Sequence, residues 1–487
     1  MSISSALSNA LSGLTVSSRA ADIVSSNIAN AMTDGYGVRS LNISARAFGD
    51  MGAGAFVTGV TRSEDAVLIG QRRLTEAELA FRNAQGGYLT RLEALIGTPD
   101  MAGSLAARSA GFEAALASAA ANPQAQVRLA GAVDAATALA GTLNTISDGI
   151  QAERLRAEGG IATAVARING ALDQLATLNT RIRQDTSGGR DVSALLDAQA
   201  QIVNDIAPLI PLHSRRDQMG ALQLFSADGQ PLLDGRPAVL SFTPVTVMEA
   251  DMTRDSGALS GLALNGRALA MSGAQPALGG GHLSALFALR DDWGVGAQAS
   301  VDAVARDLAG RFDAAGLDPT LAPGQPGLFT DAGAVADSAN EVGLASRLRV
   351  NAAVRPEEGG ALWRLRDGLG ASTEGPVGHA SFLQAQRDAL GARDLTVSGG
   401  FSATARSFAG LVADHLSGVG MARQSAETMQ SHTAARFGAL RQEELAQGVD
   451  TDAEMQRLLQ IEQMFAANAR VVSAAQEMID QLIRMGR

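Results

Sequence analysis

Few residues in this chain have the type and spacing to do chemistry. The five histidines, His213, His282, His379, His415 and His432, are scattered, and no H-x-x-x-H pair puts two ligands on one helix face. Each is expected at the surface or at a helix cap. Asp291-Asp292 and Glu357-Glu358 are adjacent carboxylates whose side chains diverge, whereas acid–base work needs two groups that converge on one substrate; they read as solvated surface. Gly279-Gly280-Gly281 precedes a helical pattern and is open enough to approach an anion. It lacks the lysine and the second-glycine spacing of a phosphate loop, so a helix-start loop is the better reading. Cysteine is absent, which excludes structural disulfides, thiolate catalysis and Cys-ligated zinc. No enzymatic activity, cofactor or metal is expected.

A second set of polar residues demands a position rather than a reaction. The stretch SSNIANAMTDGYG, Ser25 to Gly37, closes the first helical pattern with Asn27 and Asn30 and then places Tyr36, one of two tyrosines. Ile28 is expected to face a partner. Asn27 and Asn30 flank it and are expected to bond backbone groups, either of a neighbouring subunit or of the chain leaving the helix. Asp34-Gly35 makes the turn, and Tyr36 anchors the return strand with its ring buried and its hydroxyl paired.

The elements that position these residues follow from composition and periodicity. The 487 residues suffice for two to four domains, and 46% hydrophobic content with only 4% aromatics gives a core of Ala, Leu, Val and Ile, favouring helices. A net charge of -11, with every cation an arginine, disfavours nucleic acid and anionic membrane as partners. No apolar run reaches the ~18 residues of a membrane span. The N-terminus has no early basic residue and no long apolar run, so it is not an ordinary secretory signal.

Both ends carry a heptad seam. Ile3, Leu7, Ala10, Leu14, Ser17, Ala21, Val24, Ile28 and Ala31 alternate in steps of three and four; so do Leu458, Ile461, Phe465, Asn468, Val472, Ala475, Ile479 and Leu482. Asn468 is the one polar residue of the second seam, a placement that fixes register or partner number. Such seams pair with each other or with further subunits. Between them, residues 51–59 read as a loop or short strand. Helices follow over 64–85, 88–96 and 104–121, the last stopped by Asn122-Pro123. Residues 124–185 are helical, with a seam of Ile161, Val165, Ile168, Leu172, Leu175 and Ile182, and Asp191 caps the next helix. After Pro211 short apolar runs are split by Asp228-Gly229, Asp234-Gly235 and Asn265-Gly266, the last a hairpin signal.

The expected fold is therefore mainly α with a small β-rich insertion. Terminal helices over 1–50 and 440–487 form a coiled coil. A long-helix bundle covers 51–210, 282–318 and 358–439. A short β domain covers 211–281 and 319–357 at the tip.

The motifs resemble those of the bacterial flagellar axial proteins. At the N-terminus the resemblance rests on Ala10 to Leu14, Ser25-Ser26-Asn27-Ile28-Ala29-Asn30 and Thr33-Asp34-Gly35-Tyr36, with Ser26 where the family has another asparagine and Arg39 displaced by Gly37-Val38. At the C-terminus it rests on Gly448-Val449-Asp450, Ile461-Glu462-Gln463-Met464-Phe465, Ala469-Arg470-Val471-Val472 and Met478-Ile479-Asp480, with Phe465 in a tyrosine position. In the middle, Asn122-Pro123, Ile168-Asn169, Leu178-Asn179 and Leu195-Leu196-Asp197 look like the helical domain of the hook-associated members. The acidic motif is shortened there to Leu195-Leu196-Asp197-Ala198-Gln199-Ala200.

The resemblance implies a structural protein of the flagellum: a ring joining hook to filament, extracellular, exported by the flagellar type III apparatus without a cleaved signal peptide. It implies as partners further copies of the chain, hook protein, the third hook-associated protein, an export chaperone on the C-terminal helix and the export apparatus itself, without nucleic acid or membrane insertion. The expected interface residues are Ile3, Leu7, Leu14, Ala21, Val24 and Ile28 on the first helix, and Leu458, Ile461, Phe465, Asn468, Val472, Ile479 and Leu482 on the last. Asn27, Asn30, Gly35 and Tyr36 form the family motif. The alternatives are a cytoplasmic coiled-coil adaptor, or another axial protein of the hook, rod or third hook-associated type.

Overall fold

The structure is a computed structural model that describes residues 3–33, 35–48, 51–271, 276–313 and 316–485. It is mainly helical, with small sheets. Helix α1 (Ile3–Ala29) leads into the antiparallel hairpin β1 (Val38–Phe48) and β2 (Met51–Ser63). Four helices follow: α2 (Ala66–Ile96), α3 (Leu105–Ala121), α4 (Gln126–Ser187) and α5 (Ser193–Ile206). Strands β3 (Leu212–Arg216), β4 (Leu222–Ser226), β5 (Pro231–Asp234) and β6 (Arg236–Pro237) form one sheet in that order. Strands β7 (Leu240–Ser241), β8 (Ala263–Leu264) and β9 (Arg267–Ala268) form another.

Helix α6 (His282–Ala288) passes through one π turn, Leu289–Trp293, into α7 (Gly294–Asp313). Strands β10 (Phe329–Asp331) and β11 (Leu348–Val350) pair around α8 (Leu344–Arg347); α9 (Arg364–Asp367) and α10 (Ser381–Gly391) follow. Strands β12 (Asp394–Leu395) and β13 (Ala405–Arg406) precede the long α11 (Phe408–Ala446) and α12 (Thr451–Met485).

The chain divides into two compact units. The first holds Met1–Leu79, Ala166–Val239 and Thr433–Arg487; the second holds Ala80–Val165 and Leu240–His432. The residues expected to form one β-rich insertion, 211–281, therefore supply two sheets, β3–β6 to the first unit and β7–β9 to the second. The turn signals hold: Asn265 and Gly266 both have positive φ and join β8 to β9 as a two-residue hairpin of the I′ type.

Of the two readings of residues 51–59, a loop or a short strand, the strand is the one found, and it is longer than expected at 13 residues; it pairs with β1, the return strand after Tyr36. The hairpin is mostly exposed or half-buried, so no apolar alternation marks it. Its pairing is a backbone matter, with Thr58 as the extra residue of a bulge and its hydroxyl donating to the Asn42 carbonyl. Elsewhere local rules decide. Ser104 accepts the Ala107 N–H as the cap of α3, and Asn122 before Pro123 ends it. The Asp191 carboxylate accepts the Ser193 N–H and hydroxyl at the start of α5. Gly86-Gly87 does not interrupt α2, because buried Tyr88, Leu92 and Ile96 hold the following turns.

In the first unit Ile168, Leu172, Leu175 and Ile182 of α4 are buried, as are Ile161 and Val165 in the second. The core of the second unit includes Phe112, Phe312 and Phe329, mutually packed at ring separations of 5.2 to 5.9 Å. Its polar interior corrects the surface reading of Asp291. Arg290 and Glu158 are fully buried and paired at 2.6 Å, and Asp291 adds a second carboxylate at 2.7 Å.

His415 is also not at the surface. It is 5% exposed, packs edge-on to Phe401, and its Nε2 has no hydrogen-bond partner. Burial pushes its pKa down to about 4. The unfolded chain then binds a proton near pH 6.5 that the folded chain refuses, so this contribution to stability falls as pH drops from 6.5 towards 4. About 3 kcal/mol is expected to be lost across that window. Denaturation of the wild type and a His415→Leu variant from pH 7 to 4 should show the variant's profile flatter by that amount; parallel profiles would refute the assignment.

Candidate assembly site at the terminal helices

Helix α1 ends where the chain must reverse, and Asn27 makes the reversal specific. Its side chain is fully buried on the last turn, so every polar atom needs a partner. Its Nδ2 donates to the Arg39 carbonyl at 2.9 Å. Its Oδ1 accepts the Tyr36 hydroxyl at 2.8 Å and the Arg39 N–H at 3.1 Å. Of the two expected uses of this amide, bonding the chain that leaves the helix is the one found. Asn30 differs: its Nδ2 turns back to the Ser26 carbonyl and its Oδ1 accepts the Thr33 hydroxyl, closing the last turn of α1 on itself. Asp34 lies outside the described residues; Gly35 takes φ +80° against Gln201 and Ala200 of α5. Tyr36 is half-buried, with the Arg39 guanidinium 4.9 Å from its ring centre.

Asp197 of α5 receives this turn. Its carboxylate accepts the Gly37 N–H at 3.1 Å, Arg62 Nε of β2 at 2.8 Å and Arg39 of β1 at 2.5 Å. Gly37 is required there, since a Cβ would lie 2.5 Å from Arg62 Nε. Burial works against the Arg62 cation, but its bonds to Glu64 and Asp197 outweigh this and raise its pKa. The shortened acidic motif thus keeps the one carboxylate that clamps the hairpin.

A second arginine pair lies on α2. Arg72 bonds Glu76, Asn204 of α5 and Glu444 of α11, and Arg73 shares Asn204 and reaches the Ala200 carbonyl. Burial, with Arg72 alongside, pushes the Arg73 pKa down to about 10, which leaves it charged at neutral pH. None of Arg39, Arg62, Arg72, Arg73 or Glu444 carried a signal by spacing, because their partners lie far away in the chain.

The terminal helices pack on each other. The end of α1 and the break before α12 line one cavity of about 490 Å³, through Asn30 and Ala31 on one side and Gly448 and Val449 on the other. Gly13 lies against Asn468, so the two helices run antiparallel. A Cβ at Gly13 would sit 2.6 Å from the Asn468 amide nitrogen, so the polar seam residue occupies a space that only glycine leaves. On α1, Ala10, Ser17 and Val24 are buried, while Ile3, Leu7, Leu14, Ala21 and Ile28 are half-buried. On α12, Ile461 and Ala475 are buried, and Leu458, Asn468, Val472 and Ile479 are half-buried.

Phe465 and Leu482 do not join this pairing; they are 46% and 54% exposed. Met464, Val471, Met478 and Met485 are exposed with them, seven residues apart along α12. The helix therefore carries one seam used within the chain and a second apolar stripe left open.

Comparison with known proteins matches these parts. The family described as "Flagella basal body rod protein" covers residues 7–36, which is α1 through Tyr36. "Flagellar basal body rod FlgEFG protein C-terminal" covers residues 445–485, which is α12. Helices paired end to end, an amide-locked turn and these two signatures define a flagellar axial protein. Residues 89–328 match "Flagellar hook-associated protein FlgK helical domain". These matches support a flagellar hook-associated axial protein, similar to flagellar hook-associated protein 1.

Flagellar hook-associated protein 1 of Bacillus subtilis (strain 168) is 21% identical over 98% of this chain and 97% of its own length. That of Salmonella typhimurium is 26% identical over 48% of this chain, a match spanning 44% of that relative. The chain thus spans less than half the length of the enterobacterial relatives it matches. A solved structure, "The structure of the flagellar hook junction protein FlgK from Burkholderia pseudomallei", is similar at a TM-score of 0.42 and 20% identity, over 54% of this chain and 46% of that one. That likeness is weak. Among the described residues no helix is long and apolar enough to cross a membrane.

Proposed function

We propose that this chain is a structural subunit of the ring that joins hook to filament, assembled outside the cell through its terminal helices after flagellar type III export. The observation that carries the reading is the open apolar stripe of α12, running beside the seam that packs on α1. Each large side chain of that stripe stabilises an assembly by about 1.5–3 kcal/mol when fully covered. The α1–α12 pair lines the export channel in this reading, the long helices form the outer wall, and the small sheets face solvent or neighbouring subunits. The partners are further copies of the chain, hook protein and the third hook-associated protein. An export chaperone covers the α12 stripe before assembly. The role is structural, with no catalytic step.

Replacing Phe465 and Leu482 together with aspartate tests this without touching the α1–α12 seam. The purified double variant is expected to keep its helical content but to be absent from isolated flagella, leaving hooks without filaments and a non-motile cell. Normal incorporation of a correctly folded variant would overturn the reading.

A further inference from the structure

Asparagine followed by glycine occurs twice in this chain, at Asn169-Gly170 and Asn265-Gly266. The two dipeptides are chemically equal: each offers an amide side chain beside a backbone nitrogen that no side chain shields. The fold makes them unequal. Asn169 is half-buried in the middle of the 62-residue helix α4, where the N–H of Gly170 belongs to the helical hydrogen-bond ladder. Asn265 and Gly266 are both exposed, in a two-residue turn outside any helix. Asn265 is held at φ +51°, a conformation with some strain for a residue with a side chain. The strands it joins are two residues each, paired as Ala263↔Ala268 and Leu264↔Arg267, with one further bond from the Leu269 N–H to the Leu262 carbonyl at 2.8 Å. Opening so short a ladder costs little, whereas freeing Gly170 requires local melting inside a long helix.

We infer that Asn265 is a site of spontaneous backbone-assisted deamidation, and that the fold protects Asn169 from the same reaction. When the turn opens, the backbone nitrogen of Gly266 loses its proton to solvent base and attacks the side-chain carbonyl carbon of Asn265. The new C–N bond closes a five-membered succinimide, and the side-chain nitrogen takes up a proton and leaves as ammonia. Water then adds to one of the two ring carbonyls and breaks that C–N bond. Addition at the side-chain carbonyl gives aspartate; addition at the main-chain carbonyl gives isoaspartate. One water is consumed, one ammonia is released, and no oxidant or catalyst is needed. The product carries a carboxylate beside Arg267. In the isoaspartyl form the backbone is longer by one carbon, which breaks the two-residue turn and the Leu264↔Arg267 register.

The experiment uses the full chain, incubated folded at mildly alkaline pH and digested with trypsin. Cleavage at arginine places Asn265 in peptide 255–267 and Asn169 in peptide 168–181. Mass spectrometry with fragmentation then reads the conversion of amide to acid at each asparagine. In the folded protein Asn265 is expected to convert about tenfold faster than Asn169 or more, with isoaspartate among its products. In concentrated urea the two rates should converge, because the local chemistry is shared. Equal rates in the folded protein would overturn the inference. So would a gap that persists unchanged in urea, since sequence context alone would then set the rates.

Discussion

Replacing Glu158 with alanine is expected to destabilise the second unit by about 3–5 kcal/mol, because it removes one partner of a buried ion pair and leaves the other behind. Arg290 and Glu158 are both 0% exposed. The Glu158 carboxylate accepts Arg290 at 2.6 Å through one oxygen and the Val245 N–H at 2.9 Å through the other. Asp291 would remain on Arg290, at 2.7 and 2.9 Å, and so would the Ser260 carbonyl, so the cation is not wholly deserted. The loss should still be large, since the alanine also leaves a void and an unbonded N–H.

The environment explains why this pair is costly to break. Arg154 anchors the same region, bonding the carbonyls of Arg290, Glu249 and Met252. A Glu158→Gln variant keeps the shape but loses the charge and one of the two accepted bonds, since its NH2 cannot accept, and about 1.5–3 kcal/mol is expected. Equilibrium denaturation, read on the transition of this unit rather than on the whole chain, checks both values. A loss under 1 kcal/mol for the alanine variant would mean that Asp291 alone satisfies the arginine.

Asp197→Ala is the counterpart in the first unit, with an expected loss of about 3–5 kcal/mol. It strips Arg39 of its carboxylate, leaves Arg62 with Glu64 and the Gly35 carbonyl, and frees the Gly37 N–H. The damage should be directional. Amides of β1 and β2 should exchange faster, while those of α4 and α5 hold, because Asp197 ties the hairpin to α5 rather than holding α5 itself. Hydrogen exchange resolved along the sequence tests this. Uniform acceleration across the unit, or none in the hairpin, would show that Asp197 does not act as the clamp. Asp197→Asn should fall between, because it can still accept the Gly37 N–H.

How far the sequence could be read depended on the range of the interaction. Period and capping are local, so the α4 seam, the start of α3 at Ser104 and the Asn265-Gly266 hairpin were all legible. The terminal seams were legible as stripes, but not which residues would pack within the chain: Ile461 and Phe465 looked alike by spacing, yet one is buried and the other exposed. The β1–β2 hairpin was legible only as a return strand after Tyr36 and a loop or short strand at 51–59, because its half-exposed residues carry no apolar alternation. Asp291 was misread as solvated because its pairing depends on Arg290 being drawn inward toward Glu158, 132 residues earlier. Asp197 was visible as the remnant of a motif, but its meaning required Arg39 and Arg62, which meet it only in the folded unit.

The lock at the end of α1 has a kinetic side. Asn27 reaches Tyr36 and Arg39 across 9 and 12 residues, whereas Asp197 reaches Arg39 and Gly37 across 158 and 160. Closing the longer loop costs about 2 kcal/mol more in chain entropy than closing the shorter one. Loops of the shorter kind close in roughly 10–100 ns. The amide lock can therefore form as soon as its own short segment is free, and it presents Gly37, Arg39 and the first strand already aligned. The late and rare encounter with α5 then has to find one preassembled target instead of three independent ones. In the order of folding, Asn27 is a template, and Asp197 is the latch that closes on it.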